Sequence, residues 1–229
     1  MQNSSILSMV FAVGVFLGLF GAVWLCVQVV EWRRRWILGN VAAGLGMRYA
    51  GHRVAGPREA RRRLPLFWYG TRQQAKNLLR GRIEDLEAFV FDYQYTVDFG
   101  TISLGERDSS RIHAQTVAVF GLSGPTLPDF ELRPREDFRR RARVRKGYHE
   151  IDFSDAPGFA ERYLVRGKDA EAVRAAVTGE LFDVLRRREG LCIDAGGRWV
   201  AVYRLRRRVR PPEIPEFLEE AFEACTRLA

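Results

Sequence analysis

Three histidines, three cysteines and a few aspartates set in apolar stretches are the side chains of this chain best suited to chemistry. His52, His113 and His149 stand apart, none with a second histidine or a cysteine at the short spacing that closes a metal shell. Cys26, Cys192 and Cys225 form no CxxC and no paired spacing, so free thiols are expected, with neither a disulfide framework nor a metal site. Asp92, Asp152 and Asp194 lie inside or at the ends of apolar runs, where burial can perturb a carboxyl group. No base or metal-ligand set accompanies any of them, and they read as outward-facing or capping carboxylates.

The chain has no phosphate-binding loop, no dinucleotide fingerprint, no nucleophile elbow and no zinc-protease helix. The expectation is therefore no catalytic residue, no cofactor and no metal, in a non-enzymatic interaction or scaffold module. The alternative is a membrane-bound enzyme of unrecognised type working through Asp92 or Asp152.

What positions these residues begins with the N-terminus. The first thirty residues contain no charged side chain, and Ile6 to Val30 is a 25-residue run whose polar members are Ser8 and Gln28. At about 1.5 Å per residue such a run exceeds the roughly 30 Å of a hydrocarbon core. Met1 to Ser5 lack the basic residues of a cleavable leader, so an uncleaved anchor over 1–36 is expected.

Trp32, Arg33, Arg34, Arg35 and Trp36 follow the run as a membrane-interface set, aromatic rings bracketing the arginines. With no basic residue before the run, the N-terminus is expected outside and the C-terminal part cytoplasmic, in a single-pass protein of the cell (inner) membrane. Gly14, Gly18 and Ala22 fall on one helical stripe, a possible surface for a homodimer through the helix.

The net charge of +9 first suggests nucleic acid, but its distribution argues otherwise. Residues 31–80 hold twelve Lys/Arg against two Glu, a net of +10, and the remainder is close to neutral. Positive charge confined beside a membrane fits attraction to anionic lipid and argues against nucleic-acid binding. The expected partners are the lipid bilayer, anionic lipid and an unidentified protein.

Downstream, a short helix is expected over Trp36 to Met47 through Ile37, Val41 and Leu45, and Gly51 to Arg63 reads as a loop. Residues 37–63 thus form a basic juxtamembrane segment and linker, and 64–229 the domain. Phe89, Phe91, Tyr93, Tyr95 and Val97 alternate onto one strand face, and Ile112 to Leu122 supplies a second strand. A polar loop from Asp98 to Arg111 joins them, and Lys76 to Ile83 reads as a strand before them. Arg139 to Lys146 is a strongly basic run, expected as a solvated face.

Later strands are expected at Tyr148 to Phe153, Arg162 to Val165, Leu191 to Asp194 and Trp199 to Tyr203. The closing helix places Ile214, Phe217, Leu218, Ala221, Phe222 and Cys225 on one stripe after Pro211-Pro212. The fold class is α+β: an N-terminal transmembrane helix, then a domain with antiparallel sheet and a C-terminal amphipathic helix.

The motifs FDYQY (Phe91 to Tyr95), QTVAVF (Gln115 to Phe120), PDFELRP (Pro128 to Pro134) and FAERYLVRG (Phe159 to Gly167) together resemble a group of bacterial single-pass membrane proteins of unknown function. The resemblance covers most of 64–229. It implies a fold and a location and carries no functional site.

Overall fold

The computed structural model describes residues 2–53, 56–99, 109–124, 126–139 and 146–228. Most of the polar loop between the two long strands, and most of the basic run at 139–146, lie outside the described residues.

The first element is one helix, α1 (Gln2–Gly44), with no break between the apolar run and the segment after it. This corrects the expectation of a separate short helix over Trp36 to Met47. Leu38 and Ala42 are the buried positions, with Val41 and Leu45 partly covered, so the buried stripe is turned by about one residue from Ile37, Val41 and Leu45. The helix stops at Gly46, which has φ +65°. Met47 N–H donates to Ala42 C=O at 2.8 Å and Gly46 N–H to Ala43 C=O at 3.1 Å. That two-bond cap needs a left-handed residue, which glycine adopts without steric cost, and it brings Met47 and Ala42 together in the core.

The stretch expected as a loop, Gly51 to Arg63, is instead structured: β1 (Arg48–Arg53) pairs with β2 (Thr71–Ile83), and α2 (Arg58–Arg63) follows. The sheet therefore begins at Arg48, within the segment expected to be a linker. It continues with β3 (Leu86–Phe99), β4 (Ser109–Gly121), β5 (Leu127–Pro134), β6 (His149–Ile151), β7 (Tyr163–Gly167), β8 (Leu191–Gly197) and β9 (Trp199–Arg204). Its nine strands are ordered β1-β2-β3-β4-β9-β8-β5-β7-β6, and every pairing is antiparallel. The helices between them are α3 (Arg135–Arg139), α4 (Pro157–Ala160), α5 (Ala170–Ala176) and α6 (Gly179–Arg187), and α7 (Ile214–Thr226) follows β9.

Alternation along the strands splits the core in two. One face carries Val90, Ala118, Phe120 and Leu132 and is covered by α5, α6, α7 and the last turns of α1. The other carries Phe89, Phe91, Tyr93 and Tyr95 and is covered by α2 and a 3-10 turn, Pro65–Trp68. The stripe of α7 is buried as its spacing requires, with Phe222 edge-on to Phe120 at 6.2 Å. Burying side chains such as Phe217 and Leu218 stabilises by about 1.5–3 kcal/mol each.

Candidate functional site: the charged junction between the long helix and the sheet

The densest polar arrangement in the described residues surrounds Asp92, on the sheet face that α1 covers. Alternation sends Phe91 and Tyr93 to the aromatic face and leaves Asp92 beside Val90, buried at 6 % exposure. Arg34 of α1 meets the carboxylate with two bonds, Nε to Oδ2 at 3.0 Å and Nη2 to Oδ1 at 2.8 Å. Arg208 adds a contact to Oδ2 at 3.0 Å and also pairs with Glu31 at 2.8 and 3.1 Å. Two positive and two negative groups thus balance across the junction.

Neutral donors complete it. Asn77 Nδ2 donates to Oδ2 at 2.9 Å and Thr116 Oγ1 to Oδ1 at 3.0 Å. Asn77 reaches the carboxylate because β2 shifts register between Lys76 and Leu79, with Asn77 at φ +57°, a conformation asparagine tolerates better than most residues. Its Oδ1 in turn accepts from Tyr49 OH at 3.1 Å and lies 3.0 Å from His52 Nδ1. Arg34 Nη2 donates to Val209 C=O at 2.9 Å, and Val209 N–H to Thr116 Oγ1 at 2.9 Å, so the segment after β9 is tied in as well.

Burial by itself would raise the pKa of Asp92; the hydrogen bonds and charge of Arg34, joined by Arg208, overcome it and hold the carboxyl below the usual range. Asp92 is therefore an anchored anion, with neither a raised pKa nor an open approach that would suit it to proton transfer.

The expected interface set divides by helical periodicity. Trp32, Arg33 and Trp36 are exposed, whereas Arg34 and Arg35 are half-covered and Arg34 is turned inward onto Asp92. Glu31, Arg34, Leu38 and Ala42, at spacings of three and four, form the stripe facing the sheet. Gly14, Gly18 and Ala22 are exposed, and nothing lies within 4 Å of a side chain added at either glycine.

A second charged cluster sits on the opposite face. Arg133, with no exposed surface, pairs with Glu131 at 2.9 Å and Asp194 at 3.4 Å. Tyr69 OH donates to Glu131 at 2.8 Å, Tyr203 OH to Asp194 at 3.2 Å, and the guanidinium lies 5.0 Å from the Tyr69 ring centre. Asp194 is thus a buried ion-pair partner and not the outward-facing or capping carboxylate expected of it, and Asp92 is corrected in the same way. Asp152, by contrast, is exposed and caps a turn, accepting from Ser154 N–H at 2.9 Å and Ser154 OH at 2.8 Å.

The histidines do not converge: His113 lies against the Tyr95 ring at 5.4 Å and His149 is exposed on edge strand β6. Among the described residues no group of three His, Cys, Asp or Glu side chains could hold a metal ion. An open cleft of about 320 Å³ between α4 and α6 is lined by Phe159, Tyr163, Phe182 and Arg186, among others, and includes neither Asp92 nor Asp152.

Sequence reasoning marked Arg34 and Asp92 separately and did not join them; the inward spacing of Glu31, Arg34, Leu38 and Ala42 is the signal that would have paired the helix with a buried acid.

No protein-family model and no curated protein matches this chain. Among solved structures it is similar to the crystal structure of the mycobacterial trehalose monomycolate transport factor A, TtfA, with 15% sequence identity and a TM-score of 0.59. The match covers 85% of this chain and 92% of that one, and the likeness is one of fold: a sheet-based α+β domain.

Proposed function

We propose that the chain is a single-pass membrane protein whose α+β domain is a non-enzymatic accessory module, held at the bilayer surface to engage a membrane-located protein partner. The observation that carries this reading is the Arg34–Asp92 junction. One helix, long and apolar enough to cross a membrane, continues without a break into the domain core and is fastened there by buried charge. A tether that served only for retention could end in a flexible linker; a continuous, ion-paired helix instead holds the domain in a fixed relation to the span.

The reading includes a cytoplasmic domain with the N-terminus outside, from the arginines that follow the apolar run. It also includes attraction of the basic segment to anionic lipid, and pairing of two copies through Gly14, Gly18 and Ala22. The neighbour of similar fold is a mycobacterial trehalose monomycolate transport factor. For the present chain, an accessory role in membrane transport is the corresponding proposal.

Photocrosslinking in intact membranes from exposed domain positions, compared between the natural chain and Asp92→Asn, tests it. The expected result is capture of a discrete membrane protein that weakens in the variant. Turnover by the purified full-length protein in a screen of ester, phosphoester, glycoside and transferase substrates would overturn the non-enzymatic reading. A reporter fused after Ala229 that is active only outside the cell would overturn the orientation.

A further inference from the structure

The junction also fixes the direction of the sheet relative to the helix. Met47, just past the end of α1, packs on Gly81, whose strand partner is Ala88. Back along the helix Arg34 holds Asp92, four residues further along β3. The helix climbs about 15 Å between Gly44 and Arg34, and the strand about 13 Å between Ala88 and Asp92. α1 and β3 therefore run side by side in opposite chain directions, and β3 beyond Asp92 heads toward the apolar part of α1.

That apolar run ends at Val30, only about 6 Å of helix from Arg34. β3 continues for seven residues past Asp92, to Phe99, a further 23 Å or so of strand. Right-handed sheet twist carries this arm sideways as it advances. Its far end still lies on the bilayer side of Asp92.

The composition of that end is distinctive. All the large apolar side chains exposed among the described residues belong to α1 except one, Ile112, at 67% exposure. A lone exposed isoleucine is ordinary on a protein surface; its position is what matters. Ile112 pairs with Thr96, and Thr116 pairs with Asp92, so Ile112 and Thr116 share the face of β4 turned toward α1, with Ile112 about 13 Å further along the strand toward the end of the arm. The row Thr71–Thr96–Ile112 across β2, β3 and β4 is flanked by Arg72 and Arg111. Both arginines are exposed, and neither forms an ion pair among the described residues.

The depth follows from the backbone. β9 pairs with β4 only over Val117 to Gly121, so among the described residues the edge from Ser109 to Ala114 has no neighbouring strand. Unpaired N–H and C=O groups are not tolerated in hydrocarbon. The arm must therefore stay at headgroup level, where water and phosphate satisfy them.

We infer that the end of the β2–β3–β4 arm is a second membrane contact: Ile112 enters the interfacial layer of the leaflet from which α1 emerges, and Arg72 and Arg111 engage lipid phosphates. The inference rests on α1 spanning the bilayer. A phosphate-bearing lipid surface is the occupant because the arm is continuous with the helix's own membrane boundary and its charge is complementary to phosphate.

The test is full-length protein in phosphatidylcholine vesicles, with and without phosphatidylglycerol, carrying an environment-sensitive fluorophore at Ile112→Cys in a Cys26→Ala background; Cys192 and Cys225 are buried. Ser123→Cys, exposed beyond the opposite end of β4, is the aqueous control, and the natural chain labelled at Cys26 reports the span. Lipids bearing a nitroxide at the headgroup are expected to quench the label at 112 several-fold more than at 123. Adding Arg72→Gln and Arg111→Gln is expected to reduce that difference most in the anionic vesicles.

A label at 112 as unquenched as that at 123, with Cys26 quenched by a deep acyl nitroxide, overturns the arm contact and leaves the spanning helix standing. Both labels unquenched would overturn the spanning helix and the arm contact with it. Burial of the 112 label only at high protein density would assign the face to a second copy and overturn the lipid contact.

Discussion

Arg34 and Asp92, fifty-eight residues apart in the chain, form a two-bond ion pair that joins the long helix to the third strand of the sheet. Their side chains are 11% and 8% exposed, so neither charge has water to fall back on. Removing one partner of a buried pair typically costs about 3–5 kcal/mol, because the other charge is left uncompensated. Asp92→Asn is therefore expected to destabilise the domain by about 3 kcal/mol, measured by chemical unfolding of the full chain in detergent. Arg34→Met combined with Asp92→Leu is expected to recover much of that loss. A single variant as stable as the natural chain would mean that the junction contributes no net stability.

The same pair sets an acid limit. The folded pKa of Asp92 is below its ordinary value of 3.8, so its contribution is complete above that value and is lost as pH falls through the lower folded value. The stability difference between the natural chain and Asp92→Asn is expected to be constant from about pH 5 to 8 and to shrink only below about pH 4. A difference that shrinks already between pH 7 and 5 would show that another group controls the junction.

The pattern of what the sequence revealed has a physical basis. The apolar run, the alternation from Phe89 to Val97 and the stripe of α7 are local periodicities, and each appears in the structure as its spacing predicts. β1 was hidden because Arg48-Tyr49-Ala50-Gly51-His52-Arg53 has no apolar alternation; it is a strand only because β2 supplies its hydrogen bonds. Asp194 reads as an outward-facing or capping carboxylate, and Glu131 and Arg133 are not marked as its partners, because each charge is costly to bury alone. Their compensation comes from side chains far away in sequence, which no local pattern reports. The Arg34–Asp92 junction was illegible for the same reason.

Gly81 tests how closely the helix end must approach the sheet. A Cβ there would stand 2.8 Å from Met47 Cγ and 3.2 Å from Met47 Cα, a contact that demands movement of the α1 cap. Gly81→Val is expected to cost about 1–3 kcal/mol by overpacking, and to speed proteolysis between α1 and β2. Met47→Ala in the same chain removes Cγ, the closest of the clashing atoms, and is expected to restore part of the loss; no rescue would place the strain elsewhere in the strand.

The Arg133 cluster allows charge balance to be separated from geometry. Arg133 lies between Glu131 and Asp194 with its guanidinium over Tyr69, and burial that would by itself lower its pKa is outweighed by Tyr203, Asp194 and Glu131, which raise it. Arg133→Met strands two carboxylates in the core and is expected to cost about 3–5 kcal/mol. Arg133→Lys keeps the charge but loses the planar fork and the stacking on Tyr69, and should fall between the methionine variant and the natural chain. Arg133→Met with Glu131→Gln and Asp194→Asn removes all three charges while preserving shape. If charge compensation is the dominant role, this triple variant will unfold at a higher denaturant concentration than Arg133→Met alone. If the triple variant is the less stable, the hydrogen bonds from Tyr69 and Tyr203 to ionised carboxylates outweigh the cost of burying them.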